Sequence, residues 1–170
     1  MMGRDKLLEP VDSVPLIRRQ ALAALTSGCP VVVLLPTGPG PKTDVLKDLP
    51  VRIETVPDAD EGIAASLRRA AGLLVDGQSL GVLLPDVPGI SGADICTVFD
   101  AFRGAGEESA TRASDTAGRP GTPLFLPFRI ARQFIGLTGD SGGKPLLDGE
   151  HVQLVPLLSL IHISEPTRLQ

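Results

Sequence analysis

Short apolar runs and amphipathic stretches alternate along most of the chain, and this alternation predicts its secondary structure. Apolar positions recur at helical spacing over Leu16 to Ser27 and again from Gly62 onward. Pro30 to Leu35 and Val51 to Val56 are apolar or alternating segments of strand length. Strands that alternate with helices are typical of an α/β fold with a mainly parallel sheet.

The second half of the chain continues this pattern. Ser91 is placed to cap a helix, and strands are predicted at Ser109 to Ala113 and Thr122 to Leu126. A helix over Arg129 to Leu137 and a last strand over Val152 to Val155 follow. A chain of 170 residues can bury one substantial core, so we expect one domain.

Residues 80 to 88 contain an apolar run that stops at a carboxylate between two prolines. Val82 to Leu84 predict a central strand buried on both faces. Asp86 then lies just past the carboxyl end of this strand, at the edge where open α/β sheets bind ligands. The alternative is that Asp86 only starts a turn or caps the following helix.

Composition narrows the classes of partner. The net charge is −4, aromatic residues make up 3% of the chain, and there is no Trp or Tyr, which disfavours a nucleic-acid partner. There is no apolar stretch of membrane-spanning length and no signal-peptide pattern. We therefore expect a cytoplasmic protein with no membrane association.

Cysteine and histidine content limits the possible chemistry further. Cys29 and Cys96 have no CxxC spacing and lie beside apolar residues, which predicts buried free thiols in a reducing compartment. The two histidines, His151 and His162, are too few and too late in the chain to favour a histidine-based triad or zinc site.

Two glycine-containing segments are candidates for ligand binding. Gly38 to Thr43 ends in Lys-Thr like a phosphate loop, but Pro39 and Pro41 remove backbone N–H donors and the Walker spacing is absent. The helix start from Gly62 to Ser66 has small residues and a hydroxyl, which would let a ligand approach the backbone closely. Close helix packing explains the same residues equally well.

Six short motifs stand out by their order and spacing along the chain. They are Met2 to Leu8, Pro15 to Arg19, Glu61 to Leu67, Leu84 to Pro88, Gly121 to Pro123 and Gly139 to Gly142. Together they resemble the MobA-like nucleotidyltransferases, most closely the molybdenum cofactor cytidylyltransferase branch. The resemblance covers roughly residues 1 to 150.

This resemblance implies a Rossmann-like three-layer α/β fold and a reaction. The enzyme would move a nucleotide, CMP from CTP or the equivalent from another NTP, onto a molybdopterin-type cofactor with Mg²⁺ and release pyrophosphate. A maturation protein for molybdoenzymes is a further implied partner. The choice between CTP and GTP stays open.

The resemblance also implies roles for particular residues. Gly3 and Lys6 match the end of the family's phosphate loop, where Lys6 would neutralise triphosphate charge. Gly62 and Ser66 match the nucleotide-contacting Gly-x-x-x-Ser, and Asp86 matches the metal-binding aspartate. The implied catalytic residues are thus Lys6 and Asp86, and we expect Lys6, Gly62, Ser66 and Asp86 to converge at one sheet edge.

Several departures from the family pattern lead to further expectations. The N-terminal strand and most of the phosphate loop are missing, Thr122 replaces the usual His or Asn, and Lys144 stands where Arg is common. Leu158 to Gln170 resembles a translated sequencing adapter, and the family's late metal-binding aspartate would lie beyond the start of this tail. We expect a truncated domain over 1–157, a poorly packed non-native tail over 158–170, and impaired activity.

Two alternative functions are open at this point. Asp86 to Gly92 is similar to the loop after the phosphoaccepting aspartate of a signalling receiver, although no acidic pair follows Val33 to Leu35. A noncatalytic nucleotide-binding or partner-binding α/β domain is the other alternative.

Overall fold

The computed structural model describes residues 5–36, 38–139 and 142–163. Helices α1 to α6 span Leu16–Leu25, Pro41–Asp44, Ile63–Gly72, Gly92–Gly104, Phe128–Ala131 and Lys144–Leu147. Strands β1 to β8 span Pro10–Val11, Val14–Pro15, Val32–Leu35, Arg52–Thr55, Leu80–Val82, Ala110–Ser114, Pro120–Leu126 and Val152–Pro156. Short 3-10 helices lie at Lys6–Leu8, Ala59–Glu61, Arg132–Gly136 and Leu158–Ile163.

The strands form three sheets. β1 and β2 make a small hairpin, β3 pairs with β4 in parallel, and the largest sheet has the order β5-β7-β6-β8. In this sheet β6 and β8 are parallel, whereas β7 is antiparallel to both β5 and β6. The α/β prediction is confirmed, but the largest sheet is mixed rather than mainly parallel, because β7 returns from β6 through the short turn at residues 115–119.

Strand β5 differs from its prediction. It spans Leu80–Val82 rather than Val82 to Leu84, it lies at the edge of the sheet, and Gly81 is exposed. Val82 pairs with Leu124, so the next partner in register would be Pro123. Proline has no N–H to donate to a ladder, which is a physical reason for the early end of β5.

The long helices begin and end where the sequence indicates. Ser91 caps α4 in a capping box: its Oγ accepts from the Asp94 N–H at 3.2 Å, and its own N–H donates to Asp94 Oδ2 at 2.9 Å. α1 ends three residues before Gly28, whose φ of 73° stops the helix. The predicted helix over Arg129 to Leu137 is instead α5 followed by a 3-10 helix.

Three hydrophobic clusters hold these elements together. The α3-side cluster packs Leu67 and Ala71 against Leu124 and Leu126 of β7, and the α4-side cluster packs Val98 and Phe102 against Phe125 on the opposite face. Alternate residues of β7 therefore face opposite clusters. The third cluster joins α1 to β3 and contains the buried residues Ile17, Ala21, Leu35 and Leu46.

One residue near the start of the predicted tail is packed in the core. Leu160 is 7% exposed and belongs to the α4-side cluster, while Leu158 is 76% exposed. The prediction of poor packing is therefore wrong at Leu160, because the 3-10 helix after β8 covers apolar surface near Phe125 and Ile90. Residues 164–170 lie outside the described residues, and the domain division at 157 stays a prediction.

The thiol prediction is confirmed in part. Cys29 and Cys96 are both free, and both are half-buried rather than buried. None of the helices within the described ranges combines the length and apolar character needed to cross a membrane.

Candidate functional site

The strands β5, β6 and β8 all end at one edge of the four-stranded sheet, because both β5 and β6 run antiparallel to β7. We call this the Asp86 edge. Asp86 lies four residues beyond β5, in an exposed turn, and its carboxylate makes no hydrogen bond or ion pair with any described residue. Ser91 rather than Asp86 caps α4. The Asp86 carboxylate therefore lies in a turn without accepting a hydrogen bond from the backbone N–H groups of that turn.

A buried glutamine on α1 holds the loop that contains Asp86. Gln20 is 3% exposed, and its Nε2 donates a 2.9 Å hydrogen bond to the carbonyl oxygen of Val87. Its Oε1 is buried without a partner in the described structure. The sequence analysis missed this residue, although its position three residues after Ile17, on the apolar stripe of α1, was an available signal.

The start of α3 has the features of an anion-binding backbone. Gly62 precedes the helix with φ 93° and ψ −160°, a conformation that favours glycine, and no side chain caps the first turn. Uncapped N–H groups at a helix start attract anions. A seven-residue connection joins the end of α3 to the start of β5.

Ser66 lies one turn into α3 and is half-buried, and its hydroxyl has no hydrogen-bond partner within the described ranges. The acids before the helix lie in the 3-10 turn Ala59–Glu61 rather than in the first turn of α3. Glu61 forms a 2.6 Å ion pair with Nη2 of Arg68. Nη1 of the same arginine donates a 2.9 Å hydrogen bond to the Leu137 carbonyl. Arg68 thereby fixes the turn that leads into α3.

Gly142, at the end of the Gly139 to Gly142 motif, lies near the start of α3. A Cβ added to Gly142 would be 3.4 Å from Cγ2 of Ile63, an ordinary contact, but its φ of 57° favours glycine. A Cβ added to Gly143 would be 2.9 Å from the Phe134 ring, so glycine permits the close approach of this segment to Phe134. Asp140 lies outside the described residues.

Lys6 lies in the first 3-10 helix, which packs against α1 and α2 near the carboxyl end of β3. Its side chain is exposed and forms no described bond to Gly62, Ser66 or Asp86. Lys42, in the segment that resembles a phosphate loop, instead forms a 2.8 Å ion pair with Asp5 and lowers the pKa of that carboxyl. Gly3 lies outside the described residues.

A cavity of about 430 Å³ lies between the end of β4 and α3. Neither Lys6, Gly62, Ser66 nor Asp86 lines it, and its two arginines are already engaged, Arg68 with Glu61 and Arg69 with Glu54. The cavity therefore borders the candidate site without containing its predicted residues. Its walls are formed by Thr55, Val56, Pro57, Asp58, Ala65, Arg68, Arg69 and Gly72.

Gly62 and Ser66 lie at the start of α3, before β5, and Asp86 lies on the connection after β5. Lys6 is held on the neighbouring α1 and α2 region. No hydrogen bond or ion pair joins any two of these four residues in the described part of the chain, so their convergence around one ligand stays a prediction.

The donors at the Asp86 edge suit one kind of metal site. The described residues contain no group of three or more His, Cys, Asp or Glu side chains that could enclose an ion. Mg²⁺ is commonly held by one or two carboxylates together with waters and substrate phosphates. A single exposed Asp86 fits an ion shared with a bound nucleotide and does not fit an all-protein metal cage.

Comparison with known proteins identifies the relatives of this chain. Residues 1–155 match the family model described as the MobA-like NTP transferase domain. No curated protein sequence matches the chain significantly.

Solved structures of similar fold include the following three. A nucleotidyl transferase from Methanothermobacter has a TM-score of 0.72 and 24% identity, over 90% of this chain and 74% of its own. Rv0371c from Mycobacterium tuberculosis in complex with manganese has a TM-score of 0.67 and 20% identity, over 91% and 83%. A CMP:2-keto-3-deoxy-manno-octonic acid synthetase complexed with CTP has a TM-score of 0.68 and 11% identity, over 89% and 83%. At these identities the likeness shows a shared Rossmann-like fold.

Proposed function

The chain belongs to the family of MobA-like NTP transferase domains, and from this premise we propose that it transfers CMP from CTP to a molybdopterin-type cofactor. One observation carries the proposal: Asp86 is exposed and unpaired just past the end of β5, and α3, which precedes β5, begins without a side-chain cap. The cytidine choice is supported by the resemblance of the six motifs and by the CTP-bound synthetase of similar fold.

The reaction joins an acceptor phosphate to the nucleotide. An oxygen of the acceptor phosphate attacks the α-phosphorus of CTP, a new P–O bond forms, the α–β bridging P–O bond breaks, and pyrophosphate leaves with the electron pair. Catalysis of this step depends mainly on positioning and on stabilising charge.

Each predicted residue has a distinct role in this proposal. The N–H groups at the start of α3 beside Gly62 bind nucleotide oxygens, and the Ser66 hydroxyl orients the nucleotide. Lys6 neutralises charge on the departing phosphates as a point cation. Asp86 would hold Mg²⁺, which would supply neutralisation of phosphate charge. Manganese in the mycobacterial neighbour supports a divalent ion for the fold.

The setting of the reaction follows from the same proposal. The acceptor is a pterin cofactor of molybdoenzymes, so a maturation protein for such enzymes is the expected recipient of the product. We place the chain in the cytoplasm, where CTP is available.

The test uses two aspartates at opposite ends of β5. Asp86→Ala removes the proposed metal ligand, whereas Asp76→Ala removes an exposed aspartate, with side-chain exposure of 96%, before the same strand. In calorimetric titrations with CTP and Mg²⁺, we expect Asp86→Ala to lose most of the Mg²⁺-dependent gain in affinity and Asp76→Ala to keep it.

Turnover gives a second measurement. We also propose that the activity of this chain is impaired, so binding is the primary measurement. The pyrophosphate release that the unaltered chain shows with CTP and molybdopterin cofactor should fall about 100-fold or more in Asp86→Ala, the size typical of losing one group that stabilises transition-state charge. Failure of the unaltered chain to bind CTP with Mg²⁺ would contradict the proposal. Full Mg²⁺-dependent binding in a folded Asp86→Ala variant would remove Asp86 from it.

A further inference from the structure

Arg112 on β6 is a half-buried cation without a described acidic partner. Its Nε and Nη2 donate to one acceptor, the carbonyl oxygen of Gly121, at 3.1 and 2.9 Å. Burial lowers the pKa of this guanidinium, and no carboxylate offsets the effect. Arg18, Arg68 and Arg129, by comparison, each pair with an acid. A partly buried charge without a counter-charge is unfavourable unless a ligand supplies one.

Thr122 on β7 presents a second unexplained polar group. The residue is 7% exposed, and its Oγ1 is buried without a hydrogen-bond partner in the described structure. Valine has nearly the same shape and would avoid this penalty, so packing alone does not account for a threonine here. A buried hydroxyl of this kind calls for a partner that the described residues do not provide.

The two groups lie next to each other on the sheet. Arg112 is directly opposite Leu124 in the β6–β7 ladder, so its side chain points to the same side as Leu124, which packs in the α3-side cluster. The register of this ladder shifts between Arg112 and Ser114, in the segment opposite Thr122. The carbonyl that accepts from Arg112 belongs to Gly121, which immediately precedes Thr122. The Arg112 guanidinium therefore lies beside the Thr122 backbone.

Both groups also lie toward the Asp86 edge. β6 ends two residues after Arg112, and β7 begins two residues before Thr122. β5 ends at Val82 opposite Leu124, which is two residues after Thr122, and Asp86 follows the end of β5 by four residues. The proposed metal ligand and the two unexplained polar groups thus belong to neighbouring strand ends.

We propose that Arg112 and Thr122 form a subsite for a phosphate monoester, and that it binds the acceptor's phosphate beside Asp86. The assignment to the acceptor rests on the proposed function, whereas the anion specificity rests on Arg112 and Thr122 themselves. A guanidinium has five N–H donors, of which Gly121 takes two, and its planar fork suits a phosphate. Because the Thr122 hydroxyl is covered, a side chain must move aside before it contacts the ligand, so Arg112 contributes the larger share.

The test titrates the full chain with phenyl phosphate and follows backbone amide shifts by NMR. We expect Arg112→Met to weaken binding about tenfold or more, because it removes a charge-assisted pair of hydrogen bonds. Arg112→Lys, which keeps the charge and loses the fork, should be intermediate. Thr122→Val should weaken binding a few-fold without lowering Tm. Arg129→Met, which removes an exposed arginine paired with Glu150, is the matched control and should bind like the unaltered chain.

Mg²⁺–CTP binding in the same variants separates this inference from the proposed function. Asp86→Ala should weaken Mg²⁺–CTP and spare phenyl phosphate, and Arg112→Met should do the reverse. If the unaltered chain fails to bind phenyl phosphate, or if folded Arg112→Met binds it normally, the subsite is refuted. If Arg112→Met does not fold, unchanged binding in both Arg112→Lys and Thr122→Val refutes it. Failure of Mg²⁺–CTP alone refutes the proposed function and leaves the anion subsite standing.

Discussion

The four-stranded sheet and the β3–β4 pair differ in how much core supports them. The larger region has a cluster on each face of β7, with Phe102 and Leu126 fully buried. The smaller region has one cluster with four buried residues, and Val32 of β3 is 39% exposed. Burial of apolar area is the main source of stability, so most of the folding free energy belongs to the larger region.

The candidate site is divided between these regions. Asp86, Arg112 and Thr122 belong to the larger one, and Lys6 packs on the smaller one. Their relative position therefore depends on α1, which packs on β3 and also supplies Gln20 to the loop after Asp86. A change in the less stable β3–β4 region would therefore change the geometry of the candidate site.

The largest expected effect is the loss of stability when the core of the larger region is perturbed. Phe102→Ala removes a fully buried ring that stacks on Phe125, with ring centroids 5.9 Å apart. We expect a loss of about 3–5 kcal/mol of unfolding free energy. Urea denaturation measures it, and Leu22→Ala, at a position 42% exposed, is the control with little effect. Equal losses in both variants would show that burial does not distinguish these positions.

Leu46→Ala perturbs the smaller region. Leu46 is fully buried against Ile17 and Leu35, so its truncation should lower the free energy of unfolding of this region by about 2–4 kcal/mol. Hydrogen exchange should speed up in β3 and β4 while β6 and β7 keep their protection. If protection is lost uniformly in both sheets, the two regions unfold as one cooperative unit and the comparison fails.

Gln20→Met tests the link between the regions. The variant keeps the side-chain length but removes the hydrogen bond to Val87, and we expect a loss of about 1 kcal/mol or less, because the unpartnered Oε1 is removed as well. Amide exchange at residues 87–90 should increase. Gln133→Met removes a similar 3.1 Å bond to the Arg129 carbonyl and is the control. Unchanged exchange at 87–90 would mean that Gln20 does not hold this loop.

The smallest effect concerns an exposed ion pair on the smaller region. Hydrogen bonds from Arg18, at 2.5 and 2.8 Å, lower the pKa of Asp48 from 3.8 to about 2. The pair therefore stabilises the fold above about pH 4, and this contribution is lost as the pH falls through about 2. Asp48→Asn should lower Tm slightly at pH 6 and not at pH 2. A constant difference across this range would contradict the assignment.

The local features of the fold could be predicted from the sequence, and the long-range ones could not. Ser91 with Asp94 predicts the start of α4, and Gly28 and Gly62 mark helix ends, because capping and positive φ are properties of adjacent residues. The edge position of β5 and its antiparallel pairing with β7 depend on residues that are far apart in the sequence. Leu80 and Leu126, which pair, are more than 40 residues apart. Apolar runs do not specify such pairings.

The candidate site shows the same division. Gly62, Ser66 and Asp86 could be found because they belong to contiguous motifs. Burial and hydrogen bonding, which only the structure shows, identify three further candidates, Gln20, Arg112 and Thr122. Thr122 was noticed only as a departure from a family motif, and Arg112 had no signal in the sequence.

The short strands β3 and β5 also bear on how this protein behaves in concentrated solution. In the described part of the chain each pairs on one side only, and an unpaired strand edge can recruit a strand from another molecule. Pro30 and Pro36 flank β3, and Pro85 follows β5. Since proline cannot donate to a ladder, any intermolecular pairing would be limited to a few residues, and the sequence itself thus restrains self-association into extended aggregates.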